Sequence, residues 1–296
     1  MQIRDFPIES ESLRELTAHR TAMLPVACYR SRIDRHVHGR IPLHWHDEVQ
    51  WTQVEQGEGI FRVNDEELTL RAGDGLFINS GCLHGAEDRN HSGCVYVSLN
   101  AAPDFLLPRE LREAYLLPYL GTAGMPYLRF DGSTRRGQSL QQGIGEVQRL
   151  LAEKPPFYEP EIAMLLTRLW HGVIAGGPEP RPDEERGQRS RRVKEMLNWI
   201  HAHYAEPIRL EEIAQAGGLS RSECCRYFNR YLGGTPLGYV TEYRIRQAMD
   251  LLRGDLNVTE TGYRVGFVST SHFIEKFRLK TGMTPLAYKK KEANKA

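Results

Sequence analysis

Between His44 and Asn100 the apolar residues come in short runs or in alternation with polar ones: Val49 to Val54, Ile60 to Val63, Glu67 to Leu70, Gly75 to Ile78 and Val95 to Leu99. Turn-forming clusters separate them, at Gly57-Glu58-Gly59, Asn64-Asp65, Gly73-Asp74-Gly75 and Gly81. Many short strands at this spacing predict a sandwich or barrel, and a barrel this small encloses one small ligand at its mouth. From about residue 108 the period becomes helical. Leu111, Tyr115 and Tyr119 form a first set, Leu140, Ile144, Val147, Leu150 and Leu151 a second, and Ile162, Leu165, Leu166, Leu169 and Val173 a third. Amphipathic helices of this kind either close the core of the β domain or carry a partner subunit. Residues 176–188 are Pro/Gly-rich, charged and without period, and read as a linker. Beyond them helices are predicted over Val193 to Tyr204, Leu210 to Ala216, Pro236 to Leu252 and Val258 to Val265. Residues 1 to about 40 show no strong period and are read as an edge strand or an arm.

Length and charge sharpen this division. A chain of 296 residues suggests about two domains. The net charge of +1 hides an asymmetry: from Arg189 onward there are 19 Lys+Arg against 11 Asp+Glu, whereas residues 1–188 carry 20 against 27. A basic C-terminal part joined to an acidic N-terminal part points to a polyanion, best a nucleic acid, as partner of one half. The five cysteines lack metal-ligand spacing and no apolar segment follows a basic start, so the expectation is a cytoplasmic protein with reduced thiols. The longest apolar candidate, Ile162 to Ala175, is broken by Arg168 and His171 and falls short of the ~20 residues of a membrane span.

The basic part contains a repeat. An offset of 49 superimposes Ser220 on Ser269, Phe228 on Phe277, Gly233 on Gly282, Thr235-Pro236-Leu237 on Thr284-Pro285-Leu286 and Tyr239 on Tyr288. Each copy reads as a capping Ser, a polar helix with apolar anchors, and a Gly stop followed by Pro. A short helix, a Gly-containing turn and a second capped helix make a helix-turn-helix, whose second helix fits the ~12 Å major groove. With Cys224, Phe228, Phe273 and Phe277 facing inward, the outward candidates for base contacts are Arg221, Ser222, Cys225 and Arg226 in the first copy. In the second they are Thr270, Ser271, Ile274 and Glu275. Arg suits guanine, Glu accepts from cytosine N4, and Ile or Thr methyls suit the thymine methyl.

The C-terminal hundred residues resemble the DNA-binding domain of the AraC/XylS family of bacterial transcription regulators. The resemblance rests on Leu210-x-x-Ile213-Ala214, Arg244-Ile245-x-x-Ala248-x-x-Leu251-Leu252, Val265-Gly266-Phe267, Phe273-x-x-x-Phe277 and both Gly-x-Thr-Pro segments. It implies two helix-turn-helix units bridged by a long helix. Thr261-Gly262 departs from the pattern, standing where the family usually has Ile-Ala, and Gly weakens a helix interior by ~1 kcal/mol relative to Ala.

His44-Trp45-His46, Gln50, Gly57, Gly75, Gly81 and His84 resemble the cupin barrel, with Gln50 where metal-binding members carry Glu, and the sensor domain of AraC-type regulators. His44 and His46, two apart on a strand, face the same way, and a barrel can bring His84 beside them. The candidate effector-binding residues are His44, His46, Gln50, Trp51, His84 and Tyr96. Histidines 44, 46 and 84 also form a candidate facial metal set, although an organic effector is preferred over a metal and no cofactor is assigned. The pairs His36-x-His38 and His201-x-His203 are read as exposed and given no role.

The expected architecture is α+β and multidomain. A cupin-like effector-sensing and dimerisation domain covers 1–175, with the barrel at about 20–105 and helices at about 106–175; a linker covers 176–188 and an all-α double helix-turn-helix domain 189–296. The expected function is a non-enzymatic, sequence-specific DNA-binding regulator, a homodimer on double-stranded DNA. A small-molecule effector controls it, a sugar being the class that the resemblance suggests, with RNA polymerase as a further partner. The rivals are a metal-dependent cupin enzyme fused to a DNA-binding tail and a nucleoid-type binder without an effector.

Overall fold

The structure, a computed structural model, describes residues 7–8, 13–21, 23–36, 39–120, 125–178, 184–232, 234–254 and 256–293. His38 and Gly233, singled out above, lie outside them. Leu13–Ser190 and Arg191–Ala296 fall into separate compact units.

Among the described residues of the first unit, nine antiparallel strands form two sheets. The strands are β1 (Val26–Arg32), β2 (Arg40–His44), β3 (Val49–Gln56), β4 (Glu58–Val63), β5 (Glu66–Arg71), β6 (Asp74–Ile78), β7 (His84–Asp88), β8 (Val95–Ala101) and β9 (Tyr127–Asp131). One sheet runs β1-β8-β3-β6-β9 and the other β2-β7-β4-β5. Each strand's parity decides what its side chains meet. On β8, Val97, Leu99 and Ala101 face one core while Tyr96, Ser98 and Asn100 face the barrel interior, so the whole strand is buried.

Helices α1 (Arg109–Tyr115), α2 (Arg135–Glu153) and α3 (Tyr158–Ile174) follow. Thr134 caps α2 by accepting from the Gly137 amide at 3.0 Å. The apolar stripes of α2 (Leu140, Ile144, Val147, Leu150) and α3 (Ile162, Leu166, Leu169, Val173) are buried with Val49, Trp51, Phe77 and Leu99 of the five-stranded sheet. Each such side chain contributes roughly 1.5–3 kcal/mol by leaving water. The stripes therefore close the core of the β domain. The first helix is shorter than its periodicity suggested, because Pro118 follows and Tyr119 falls in a separate 3₁₀ turn.

Helix α4 (Glu184–His203) begins in the first unit and continues into the second, where α5 (Leu210–Ala216), α6 (Arg221–Leu232), α7 (Pro236–Leu252), α8 (Val258–Arg264), α9 (Thr270–Thr281) and α10 (Pro285–Ala293) follow. The start of α4 at Glu184 shortens the expected 176–188 linker, because Glu, Gln and Arg favour helix where the Pro/Gly-rich part has ended. Val193, Met196, Leu197 and Ile200 of α4 are buried, as are Ile213, Cys224, Phe228 and Val240 around the first helix-turn-helix. Ile245, Ala248 and Leu252 of α7 join Phe267, Phe273, Phe277 and Tyr288 in the core of the second. Caps match the sequence signals: Ser220 and Glu223 bond reciprocally, Glu223 N to Ser220 Oγ at 3.3 Å and Ser220 N to Glu223 Oε2 at 3.0 Å. Ser269 Oγ accepts from His272 N at 3.2 Å.

The two copies differ at the turn. Leu219 N bonds Ala214 O, and Phe267 N bonds Gly262 O, an offset of 48 rather than 49. The second turn is one residue longer, and its extra residue, Val268, is 83% exposed. Gly262 has its own reason. A Cβ there would stand 2.8 Å from Cδ1 and 3.0 Å from Cγ of Phe273, so its absence lets α9 seat closely on α8.

Candidate functional site

The first candidate lies inside the barrel. His44 closes β2 and His84 opens β7, and the two are paired across the β2–β7 ladder. His46 follows two residues after His44, and the three rings gather with centroids 4.2 Å (His44 and His84), 5.0 Å (His46 and His84) and 5.9 Å (His44 and His46) apart. All three are buried. Each ring is anchored by Nδ1 to a nearby backbone carbonyl: His44 to Pro42 O at 2.8 Å, His84 to Cys82 O at 2.9 Å and His46 to Glu48 O at 3.1 Å. A carbonyl only accepts, so these contacts place the proton of His44 and His84 on Nδ1, while His46, with Gln50 Oε1 3.3 Å from its Nε2, faces an oxygen acceptor at both nitrogens.

Two further residues complete the cluster from the aperiodic N-terminal stretch. Glu15 Oε2 lies 3.2 Å from His19 Nε2 and 3.5 Å from His44 Nε2, with only 4% of the Glu15 side chain exposed. His46 Nε2 is 3.3 Å from Gln50 Oε1, and Gln50 Nε2 donates to Thr52 Oγ1 at 2.8 Å. Burial opposes the charge on Glu15, but the hydrogen bond with His19 and the neighbouring imidazoles outweigh it and hold its pKa down to about 2. Burial lowers the pKa values of His44 and His84 and takes that of His46 down to about 3, so these three rings are neutral.

The cavity beside this cluster has a volume of about 40 Å³, where one water needs roughly 10–15 Å³. Its walls include His44, Gln50, His84 and Tyr96 from the expected set. Trp51 corrects that set. Next to Gln50 on β3 it takes the opposite parity, is fully buried, and packs on Phe77 with centroids 5.4 Å apart, away from the cavity. Sequence reasoning missed Glu15 and His19, which no period marks, and also Ser98 and Asn100, which the alternation from Tyr96 was able to indicate. His36, expected to be exposed, is buried and lines the cavity. His201 is also buried, stacked on Tyr243 at 4.1 Å with Nε2 2.8 Å from the Tyr239 hydroxyl.

The second candidate is the outer surface of α6 and α9. Arg221, Ser222 and Arg226 are exposed and Cys225 is half-buried; Ser271 and Glu275 are exposed, and Thr270 and Ile274 half-buried. Ile274 packs partly on the core around Phe273. Arg221 pairs with Glu211 at 3.1 Å and Arg226 with Glu223 at 3.8 Å, contacts between exposed side chains that are worth little and exchange readily for a phosphate or base edge.

Residues 24–170 match the AraC-like ligand binding domain and residues 213–291 the helix-turn-helix domain. Over 289 residues the chain is 46% identical to the HTH-type transcriptional regulator YdeC of Bacillus subtilis strain 168, covering 97% of this chain and 99% of that protein. The chain belongs to the AraC/XylS family of transcription regulators. A second relative in this family, the HTH-type transcriptional activator RhaS of Escherichia fergusonii, is 27% identical over 253 residues, 83% of this chain and 87% of its own. A crystal structure of an AraC-type transcriptional regulator from Chromobacterium violaceum covers 36% of this chain and 96% of its own at 29% identity, with a TM-score of 0.34. In this AraC/XylS regulator the cupin-like unit is therefore the ligand-binding domain and the double helix-turn-helix unit the DNA-binding domain. No helix among the described residues is long and apolar enough to cross a membrane.

Proposed function

We propose that a small ligand held in the barrel cavity controls how α6 and α9 engage their operator. The observation that carries this reading is a cavity lined by several buried polar side chains inside the sandwich, on a chain whose other unit presents two capped helices with Arg, Ser and Glu outward. Buried polar groups without partners are costly, so a cavity walled by them favours a ligand that completes their bonds. At about 40 Å³, room for roughly three waters, the cavity in this form suits an ion or a very small polar molecule. A sugar would need its walls to open.

Arg221, Ser222 and Arg226 on α6 and Ser271 and Glu275 on α9 are our candidates for base contacts, with Thr270, Ile274 and Cys225 at the edges of the reading faces. The protein acts in the cytoplasm as a homodimer, since two-fold symmetry is what paired half-sites require, and RNA polymerase is its further partner. The barrel senses and does not catalyse. A ligand shifts the DNA equilibrium only by its difference in affinity for the two states.

Fluorescence anisotropy on genomic operator fragments, with and without candidate ligands chosen by thermal shift, tests the proposal. A ligand that stabilises the protein by RT ln(1 + [L]/Kd) and changes DNA affinity supports it. Sequence-independent binding that no stabilising ligand alters would overturn it.

A further inference from the structure

We infer that Val268 is a specificity-determining contact, its side chain reading the C5 methyl group of a thymine beside α9. Val268 is 83% exposed, the most exposed large apolar side chain among the described residues of its unit. It is the residue that lengthens the second turn, and it stands directly before Ser269, whose Oγ caps α9.

The fold makes no use of this side chain. An apolar residue just ahead of a capping Ser often packs on the fourth residue of the helix and fixes the entry of the chain. In α9 that fourth residue is Phe273, and Phe267 covers it from one position further back, with ring centroids 5.2 Å apart. In the first copy Leu219 stands next to the cap and is half-buried. The longer second turn instead leaves a valine pointing out of the protein.

The turn behind Val268 is held in place. Gly266 is left-handed, with φ 89°, and a Cβ there would stand 2.7 Å from Tyr204 O, so the turn lies directly on the chain that follows α4. Arg244 Nε donates to the same carbonyl at 2.7 Å, and the Arg244 guanidinium lies 5.9 Å from the centroid of the Phe267 ring. Gly266 N donates to Tyr263 O and Phe267 N to Gly262 O, each at 3.0 Å. A β-branched side chain has few rotamers to lose. A valine on a fixed turn is thus presented at little entropic cost on contact.

Its chemistry selects what it can touch. A helix-turn-helix sets the N-terminal end of its second helix against base edges, and Ser271, His272 and Glu275 are exposed along the same helix. Valine carries no donor, acceptor or charge, so a phosphate or a purine edge gains nothing from it. The thymine methyl is the apolar group that the major groove offers. Pressing the two together removes both from water.

Val268 reaches a base only if α9 enters the groove as proposed above, and the test separates the two. Operators are selected from random double-stranded DNA with the full chain, and each thymine of the bound half-site is replaced singly by deoxyuridine. That change removes the C5 methyl and keeps every hydrogen-bonding group. Anisotropy should show about a 3- to 10-fold loss for the wild type at one thymine, the size expected for one or two buried methyl groups. Val268→Ala should lose a similar factor on the unmodified operator and be indifferent to deoxyuridine at that position. Wild-type affinity in Val268→Ala, or the same deoxyuridine penalties as the wild type, overturns the inference and leaves Val268 to a protein partner. An equal loss on every sequence overturns it too, in favour of a contact with the sugar–phosphate backbone. Ser271→Ala and Glu275→Ala are the controls for the reading helix. If they alter base preference and Val268→Ala does not, α9 reads DNA without Val268; if none of the three does, the reading of α9 falls as well.

Discussion

His44 and His84 face each other across the β2–β7 ladder with ring centroids 4.2 Å apart, both buried and both below the ordinary imidazole pKa because burial disfavours their charged forms. The unfolded chain binds protons at these rings near pH 6.5, whereas the fold excludes them, so stability is present above about pH 6.5 and is lost as pH falls. His46, down to about 3, and Glu15, down to about 2, act in the same direction, Glu15 only below about pH 4.5. The protein should therefore lose stability between pH 6.5 and 5 by roughly 1.4 kcal/mol per pH unit for each excluded proton. Thermal melts followed at the barrel tryptophans check this; a midpoint unchanged down to pH 5 would contradict neutral, buried rings.

Trp51 and Gln50 are neighbours in sequence with opposite surroundings. Trp51→Ala empties a site packed against Phe77 inside the core and should cost about 3–5 kcal/mol of barrel stability, while any effect on ligand binding should follow only from that loss. Denaturant unfolding of the full chain, compared with Gln50→Ala, distinguishes a core residue from a cavity wall. A Trp51 variant of native stability with altered ligand affinity would return it to the binding site.

Gly262→Ala tests local propensity against packing. Helix preference alone predicts a gain of ~1 kcal/mol, but the new methyl would meet the buried Phe273 ring at 2.8 Å, and overpacking costs about 1–3 kcal/mol. The expected net outcome is a DNA-binding unit that is less stable and binds DNA less tightly. A higher melting temperature would show that α8 and α9 have room to part.

Arg226 is exposed on α6 beside Glu223. If it reads a guanine, Arg226→Ala should lose ~1–3 kcal/mol of specific affinity and relax preference at one base position. Anisotropy against a set of singly substituted operators measures this. Equal loss on every sequence, with a shallower salt dependence, would make it a phosphate contact.

The sequence alone determined the double helix-turn-helix, because helical signals are local. Capping Ser, apolar residues at i and i+4, and the Gly stop act within a dozen residues, and the repeat displays them twice. The strands and turns of the barrel were legible for the same reason, and so was the common face of His44 and His46. What faced what across the sheets was not, since strand pairing joins residues far apart in sequence and register sets the neighbour. Only the tertiary structure set Trp51 in the core by the parity of β3 and placed His84 opposite His44. It alone delivered Glu15 and His19, from a stretch without period, onto the same buried cluster, where desolvation makes their charges and lone pairs matter.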